Sequence, residues 1–141
     1  MTDDTTTIAQ LKQLITEFKS KRGWGKEDPK DIALSLVLES AELLEHFQWI
    51  TGEEVKNNPK IQQAIGEEMS DVVWWVLSLG QSLGIDVSAA FAHKIVKNDE
   101  KYPAAIFRPN MSQQEKDKAY YKIKAATRGG HPLYEEKKGN E

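Results

Sequence analysis

The chain has 141 residues, which at ~100 to 200 residues per domain leaves room for one domain and excludes two catalytic ones. A charged fraction of 29% excludes a membrane bundle, and a formal net charge of -3 argues against a surface built to neutralise a nucleic-acid polymer. With no cysteine, disulfides, thiolate nucleophiles, iron-sulfur clusters and cysteine-ligated zinc are all excluded.

The opening MTDDTTT is acidic and polar, and the longest strictly apolar run, over 72–77, falls far short of the roughly 20 residues that span a bilayer. No membrane partner is expected, and a cytoplasmic location is. Ile8, Leu11, Leu14, Ile15 and Phe18 recur at spacings of three and four, which predicts an amphipathic helix over 7–19 ending near Arg22-Gly23-Trp24-Gly25. Asp28-Pro29-Lys30-Asp31 then supplies a capping residue, a proline at the first helical position and an acid in the first turn. The second helix it opens is predicted to run to about Trp49.

Asn58-Pro59 repeats that start signal for a third and longest helix, in which Ile61, Ile65, Val72, Val76, Leu79 and Leu83 continue to a stop at Gly84. Asp86 or Ser88 can cap a fourth, with Val87, Phe91 and Ile95 facing inward and an end before Pro103. Past Pro109, Ser112 and Glu115 have capping-box spacing ahead of a charged helix whose sizeable apolar residues are Tyr120, Tyr121 and Ile123, a composition suited to a peripheral or subunit-bridging helix. Residues 129–141 lack periodicity and are expected to be mobile. With no strand-like alternation and no repeat, the expectation is an all-α, four-helix-bundle-like protomer with an extra C-terminal helix, divided into a domain over 1–108 and an extension over 109–141.

At about 100° per residue, Ile32, Leu36, Leu43 and Phe47 define the buried stripe of the second helix, and Ser35, Glu39, Glu42, His46 and Trp49 form a stripe beside it. On the third helix Glu68, Asp71 and Trp75 share one flank. A short connection over 50–57 makes an antiparallel pair the simplest arrangement, so the acidic edges can face one another. Four carboxylates in a partly desolvated groove repel, and a cation relieves the strain. Hard oxygen ligands favour Mg²⁺ or Mn²⁺, and magnesium is commonly shared between carboxylates and substrate phosphates, which points to phosphate chemistry. The bland alternative is a solvated helix face. A di-iron bundle needs two Glu-x-x-His motifs, and none occurs, since His46 follows Glu42 by four.

Lys94, Asn98 and Lys101 share a side of the fourth helix at spacings of four and three, where they can contact triphosphate oxygens or merely solvate the surface. Trp24, Trp49 and Trp75, with Tyr102 as a further candidate, offer flat surfaces for a base or sugar. Trp74, turned about 100° from Trp75, is assigned to packing or an interface.

Glu39-Ser40-Ala41-Glu42 followed by Glu68-Met69-Ser70-Asp71 resembles the E-x-x-E and E-x-x-D pairs of the MazG-like all-α nucleoside triphosphate pyrophosphohydrolases. Trp24, Pro29-Lys30, the run from Glu42 to Phe47-Gln48-Trp49, Gly84-Ile85-Asp86 and Lys101-Tyr102-Pro103 are similar to the dCTP pyrophosphatase branch in particular. The similarity covers about residues 5 to 105. Many relatives carry a Glu-Glu doublet where this chain has Leu38-Glu39, a departure that suggests the smaller branch.

The resemblance implies hydrolysis of a nucleoside triphosphate between the α and β phosphates, on pyrimidine deoxynucleotides such as dCTP, with house-cleaning of noncanonical nucleotides as a role. It implies Mg²⁺, with Mn²⁺ as the substitute, held by Glu39, Glu42, Glu68 and Asp71, and Glu45 as an outer candidate. It also implies a homodimer or homotetramer, and Val73, Trp74 and Leu77 are the expected contact face. The competing class is a noncatalytic helical module that binds a nucleotide or a protein.

Overall fold

The computed structural model describes residues 1–127, and over them the chain is all-α, with no strand among the described residues. The elements are α1 (Ile8–Ser20), α2 (Pro29–Glu45), α3 (Gly52–Lys56), α4 (Pro59–Ser82), α5 (Val87–Lys101) and α6 (Gln113–Thr127). They fall into two compact units, Met1–Ala90 and the residues from Phe91 onward, with the division in the first turn of α5. The tail expected over 129–141 lies outside the described residues. No single helix among them is long and apolar enough to cross a membrane.

In the first unit, Thr7 caps α1 by accepting from the Gln10 amide while the Gln10 side chain accepts from the Thr7 amide. The helix closes as predicted. Gly23, at φ +67°, lets the Gly23 amide reach the Ser20 carbonyl and the Trp24 amide reach the Lys19 carbonyl at 2.9 Å. Asp28 caps α2 by accepting from the Lys30 amide, with Pro29 behind it. Gly84, at φ +65°, ends α4 in the same manner as Gly23, and the Ile85 amide donates to the Gly80 carbonyl at 2.8 Å.

α2 ends at Glu45, one turn earlier than the sequence suggests. The Phe47 and Gln48 amides bond back three residues, to Leu44 and Glu45, which tightens the last turn. Thr51 must then be extended, at φ -81° and ψ 156°, because it caps α3 in a box with Glu54. The connection over 50–57 therefore holds a short helix of its own, and Trp49 does not continue the stripe of α2.

α2 and α1 both pack on α4. Glu39 pairs with Trp75 and His46 with Glu68, so residue numbers rise along one helix as they fall along the other, and α2 runs antiparallel to α4 as expected. Gln81 bonds to the Lys12 carbonyl and to Thr16 while Ser78 bonds to Lys19, which sets α1 antiparallel to α4 as well. The buried aliphatic side chains among the described residues are Ile15 of α1, Ile32 of α2, and Ile65 and Leu77 of α4. Leu77 is 2% exposed and belongs to this core, so it is not part of an outward contact face. Trp74 is also engaged within the chain, packing edge-on against Phe18 at 5.2 Å, while Val73 stays exposed.

In the second unit, α5 ends at Lys101, ahead of Pro103, and α6 opens on the predicted Ser112–Glu115 box. Tyr102 stacks on Tyr120 at 5.4 Å and 17°, with Phe107 beside it, which ties the end of α5 to α6. The start of α5 is capped by Asp86, whose carboxylate accepts from the Ala89 amide at 2.9 Å.

Candidate metal centre

Glu39 and Glu42 lie one turn apart on α2 and face Glu68 on α4. One oxygen from each of the three lies within 4.8 Å of the others. Modest side-chain rotation closes such a span onto one cation with bonds of about 2.0–2.1 Å. Glu39 and Glu68 are half-buried, and Glu42 is exposed. Asp71 stands one turn beyond Glu68, exposed and outside the three-oxygen group, yet near enough for its charge to be felt at Glu42.

Crowding of like charge sets the electrostatics. The Glu42 carboxyl is pushed above its ordinary value, first by Glu39, then by its own desolvation, then by Glu68, Glu45 and Asp71. A cation bound among these oxygens removes the cause of that shift. The donors are carboxylates throughout, with no thiolate, and His46 stands at the margin with Nε2 4.0 Å from Glu68 Oε1. Hard oxygen donors of this kind fit Mg²⁺ or Mn²⁺.

Trp75 is part of the same edge. Its indole Nε1–H donates to Glu39 Oε1 at 3.3 Å, and its ring is half-buried between α1 and the acids. On the other side of the ring lies Lys19 of α1, whose Nζ is 5.2 Å from the Trp75 centroid. Lys19 is 8% exposed, donates to Glu27 Oε2 at 2.6 Å and to Ser78 Oγ at 3.0 Å, and lines a cavity of about 590 Å³ together with Ile15, Trp24, Glu27 and Gln81.

Of the predicted site residues, Glu39, Glu42, Glu68 and Trp75 come together, with Asp71 beside them. Trp24 lines the cavity beside Lys19, 57% exposed and tilted against Phe18 at 6.2 Å. Trp49 is 90% exposed after the end of α2. Lys94, Asn98, Lys101 and Tyr102 belong to the second unit, where Lys94 is exposed and the other three are half-buried. Lys101 Nζ lies 5.3 Å from the Tyr102 ring. Helical periodicity does not single out Lys19. Its signal was its place four residues after Ile15, on the apolar stripe of α1 where a solvated lysine does not belong.

Residues 34–115, a stretch that contains all four acids, match the MazG-like family. The chain is 33% identical over 106 residues to dCTP pyrophosphatase 1 of Homo sapiens and 32% identical over 106 residues to that of Mus musculus. Each match covers 72% of this chain and 62% of the relative, so the chain spans less than two thirds of their length. A crystal structure of a pyrophosphatase from Archaeoglobus fulgidus is similar with a TM-score of 0.64 and 34% identity, over 73% of this chain and 98% of that one.

Proposed function

The chain belongs to the MazG-like family, and from that premise we propose that it hydrolyses a nucleoside triphosphate between the α and β phosphates, releasing a nucleoside monophosphate and pyrophosphate. The observation that carries the reading is the meeting of three carboxylate oxygens from α2 and α4 within 4.8 Å. Glu39, Glu42 and Glu68, with Asp71, are the proposed holders of Mg²⁺, for which Mn²⁺ can substitute. When bound, such a cation offsets negative charge on the phosphate oxygens and polarises the bond to be broken. Glu42, the exposed member of the three-oxygen group, is assigned as the acceptor of the proton from the attacking water.

Pyrimidine deoxynucleotides such as dCTP are the proposed substrates, on the names of the mammalian relatives, and removal of noncanonical nucleotides is the proposed role. Trp24, Trp49 and Trp75, with Tyr102, are assigned to the base and sugar, and Lys94, Asn98 and Lys101 to the triphosphate, within a catalytic domain over 1–108. A cytoplasmic homodimer or homotetramer is the proposed form. Its support is the outer side of α2, where Leu34, Val37, Leu38 and Leu44 are all between 55% and 66% exposed.

The test is pyrophosphate release from a panel of nucleoside triphosphates with and without Mg²⁺. Cleavage of at least one member is expected only with the metal. Glu42→Ala and Asp71→Ala should each lower turnover by about 10²-fold or more, the scale of several kcal/mol of lost charge stabilisation, with the circular dichroism spectrum unchanged. If the intact oligomer cleaves nothing, or those variants turn over normally, the hydrolase reading fails and a noncatalytic binding module takes its place.

A further inference from the structure

We propose that Lys19 is a positioning residue for Glu39, acting through the indole of Trp75; the inference rests on the reading of Glu39, Glu42 and Glu68 as a cation site. Lys19 lies on a different helix from the acids and touches none of them, so it has no part in the chemistry assigned above. Its side chain is nevertheless buried, which is costly for an ammonium unless it is well partnered. Two partners accept its hydrogen bonds, the Glu27 carboxylate in an ion pair at 2.6 Å and Ser78 Oγ at 3.0 Å. The third is the face of Trp75, 5.2 Å away at the centroid, with the Trp74 face at 6.0 Å.

As a source of stability this arrangement is weak, because an aliphatic side chain of similar volume fills the same space without desolvating a charge. What an aliphatic side chain does not supply is an electrostatic hold on an indole. A cation on the ring face attracts the π system and fixes the ring plane. It also draws electron density from the N–H edge, and that edge donates to Glu39 Oε1 at 3.3 Å. An ionised carboxylate has about four acceptor positions, so the indole bond orients Glu39 without using up its capacity to bind a cation. Hydrogen bonds of this kind to a ligating side chain typically change metal affinity by about 10- to 100-fold. Lys19 acts one contact further out, and an effect of about 3- to 10-fold is expected from it.

The measurement is Mn²⁺ binding to the full chain without nucleotide, followed by loss of the free-ion electron paramagnetic resonance signal. Lys19→Met and Trp75→Phe should each weaken binding by that factor, and the double variant should bind no more weakly than Trp75→Phe alone. Lys19→Arg, which keeps a cation, should restore most of the affinity. Equal effects of Lys19→Met in the wild-type and Trp75→Phe backgrounds would mean a generally structural lysine and overturn the proposal, as would a silent Trp75→Phe. If the orphaned Glu27 unfolds Lys19→Met, the paired change Lys19→Met with Glu27→Gln takes its place in the same cycle. Glu39→Gln separates the two levels. If it leaves Mn²⁺ affinity unchanged, the cation-site reading fails; if it weakens binding while Lys19→Met does not, only the role of Lys19 fails.

Discussion

Glu42 sits among Glu39, Glu45, Glu68 and Asp71, and its titration gives the acidic edge a measurable signature. Because neighbouring acids hold its carboxyl above the ordinary value near 4.5, the folded chain retains a proton there that the unfolded chain has already released. In the cation-free protein this contribution to stability is fully present below the unfolded value and is lost as pH rises through the folded one. Cation binding has the opposite slope, since protons and Mn²⁺ compete for the same oxygens. Melting temperature in a chelator should therefore fall, and Mn²⁺ affinity rise, across the same pH interval just above the ordinary carboxylate range. Glu42→Gln should make both curves shallower, and parallel titration of wild type and variant checks it. Glu39, Glu42, Glu68 and Trp75 were legible because helical spacing alone puts an acid or an aromatic on one flank. Lys19 was not, since residue type argued for solvent while position argued for the interior.

At the scale of single helices, local capping chemistry accounts for most boundaries. Thr7, Asp28, Asn58, Asp86 and Ser112 each place a side-chain oxygen on an amide that the helix cannot satisfy itself. Asp28→Ala is the informative change, because α2 carries Glu39 and Glu42. It should cost about 1 kcal/mol of stability, read by urea denaturation, and leave the Glu42-dependent pH behaviour in place. The same reasoning explains the one boundary that spacing misplaced. Apolar and acidic periodicity continues past Glu45 to Trp49, but the Thr51–Glu54 box requires extended backbone at Thr51, and a cap overrides a weak continuation. That box is visible in the letters Thr51-Gly52-Glu53-Glu54, so α3 is written in capping residues and not in an apolar stripe, for which five residues are too few.

Across the molecule, what stands out is how little the protomer hides. Ile15, Ile32, Ile65 and Leu77 are its buried aliphatics among the described residues, while Leu34, Val37, Leu38 and Leu44 of α2 and Met69 and Val73 of α4 remain in solvent. Periodicity marked Ile32, Leu36 and Leu43 on the inner side of α2 but also Phe47, which lies past the end of the helix and is 42% exposed, and it could not rank a second apolar side on the same helix, because spacing within one chain does not tell which partner covers a face. It also placed Leu77 outside, where α4 instead turns it into the core, and Phe91 and Ile95 of α5 inside, where they are 67% and 52% exposed. A second copy of the chain is the proposed cover for the α2 face. On that view Leu38→Glu should shift sedimentation toward the monomer, while Leu77→Ala should cost about 2–5 kcal/mol by leaving a void. So small an interior also makes robustness a collective property: when folding is coupled to assembly, dilution alone lowers the melting point. A preparation that is sound at high protein concentration would then lose its shape in a dilute assay, and with it the acidic edge.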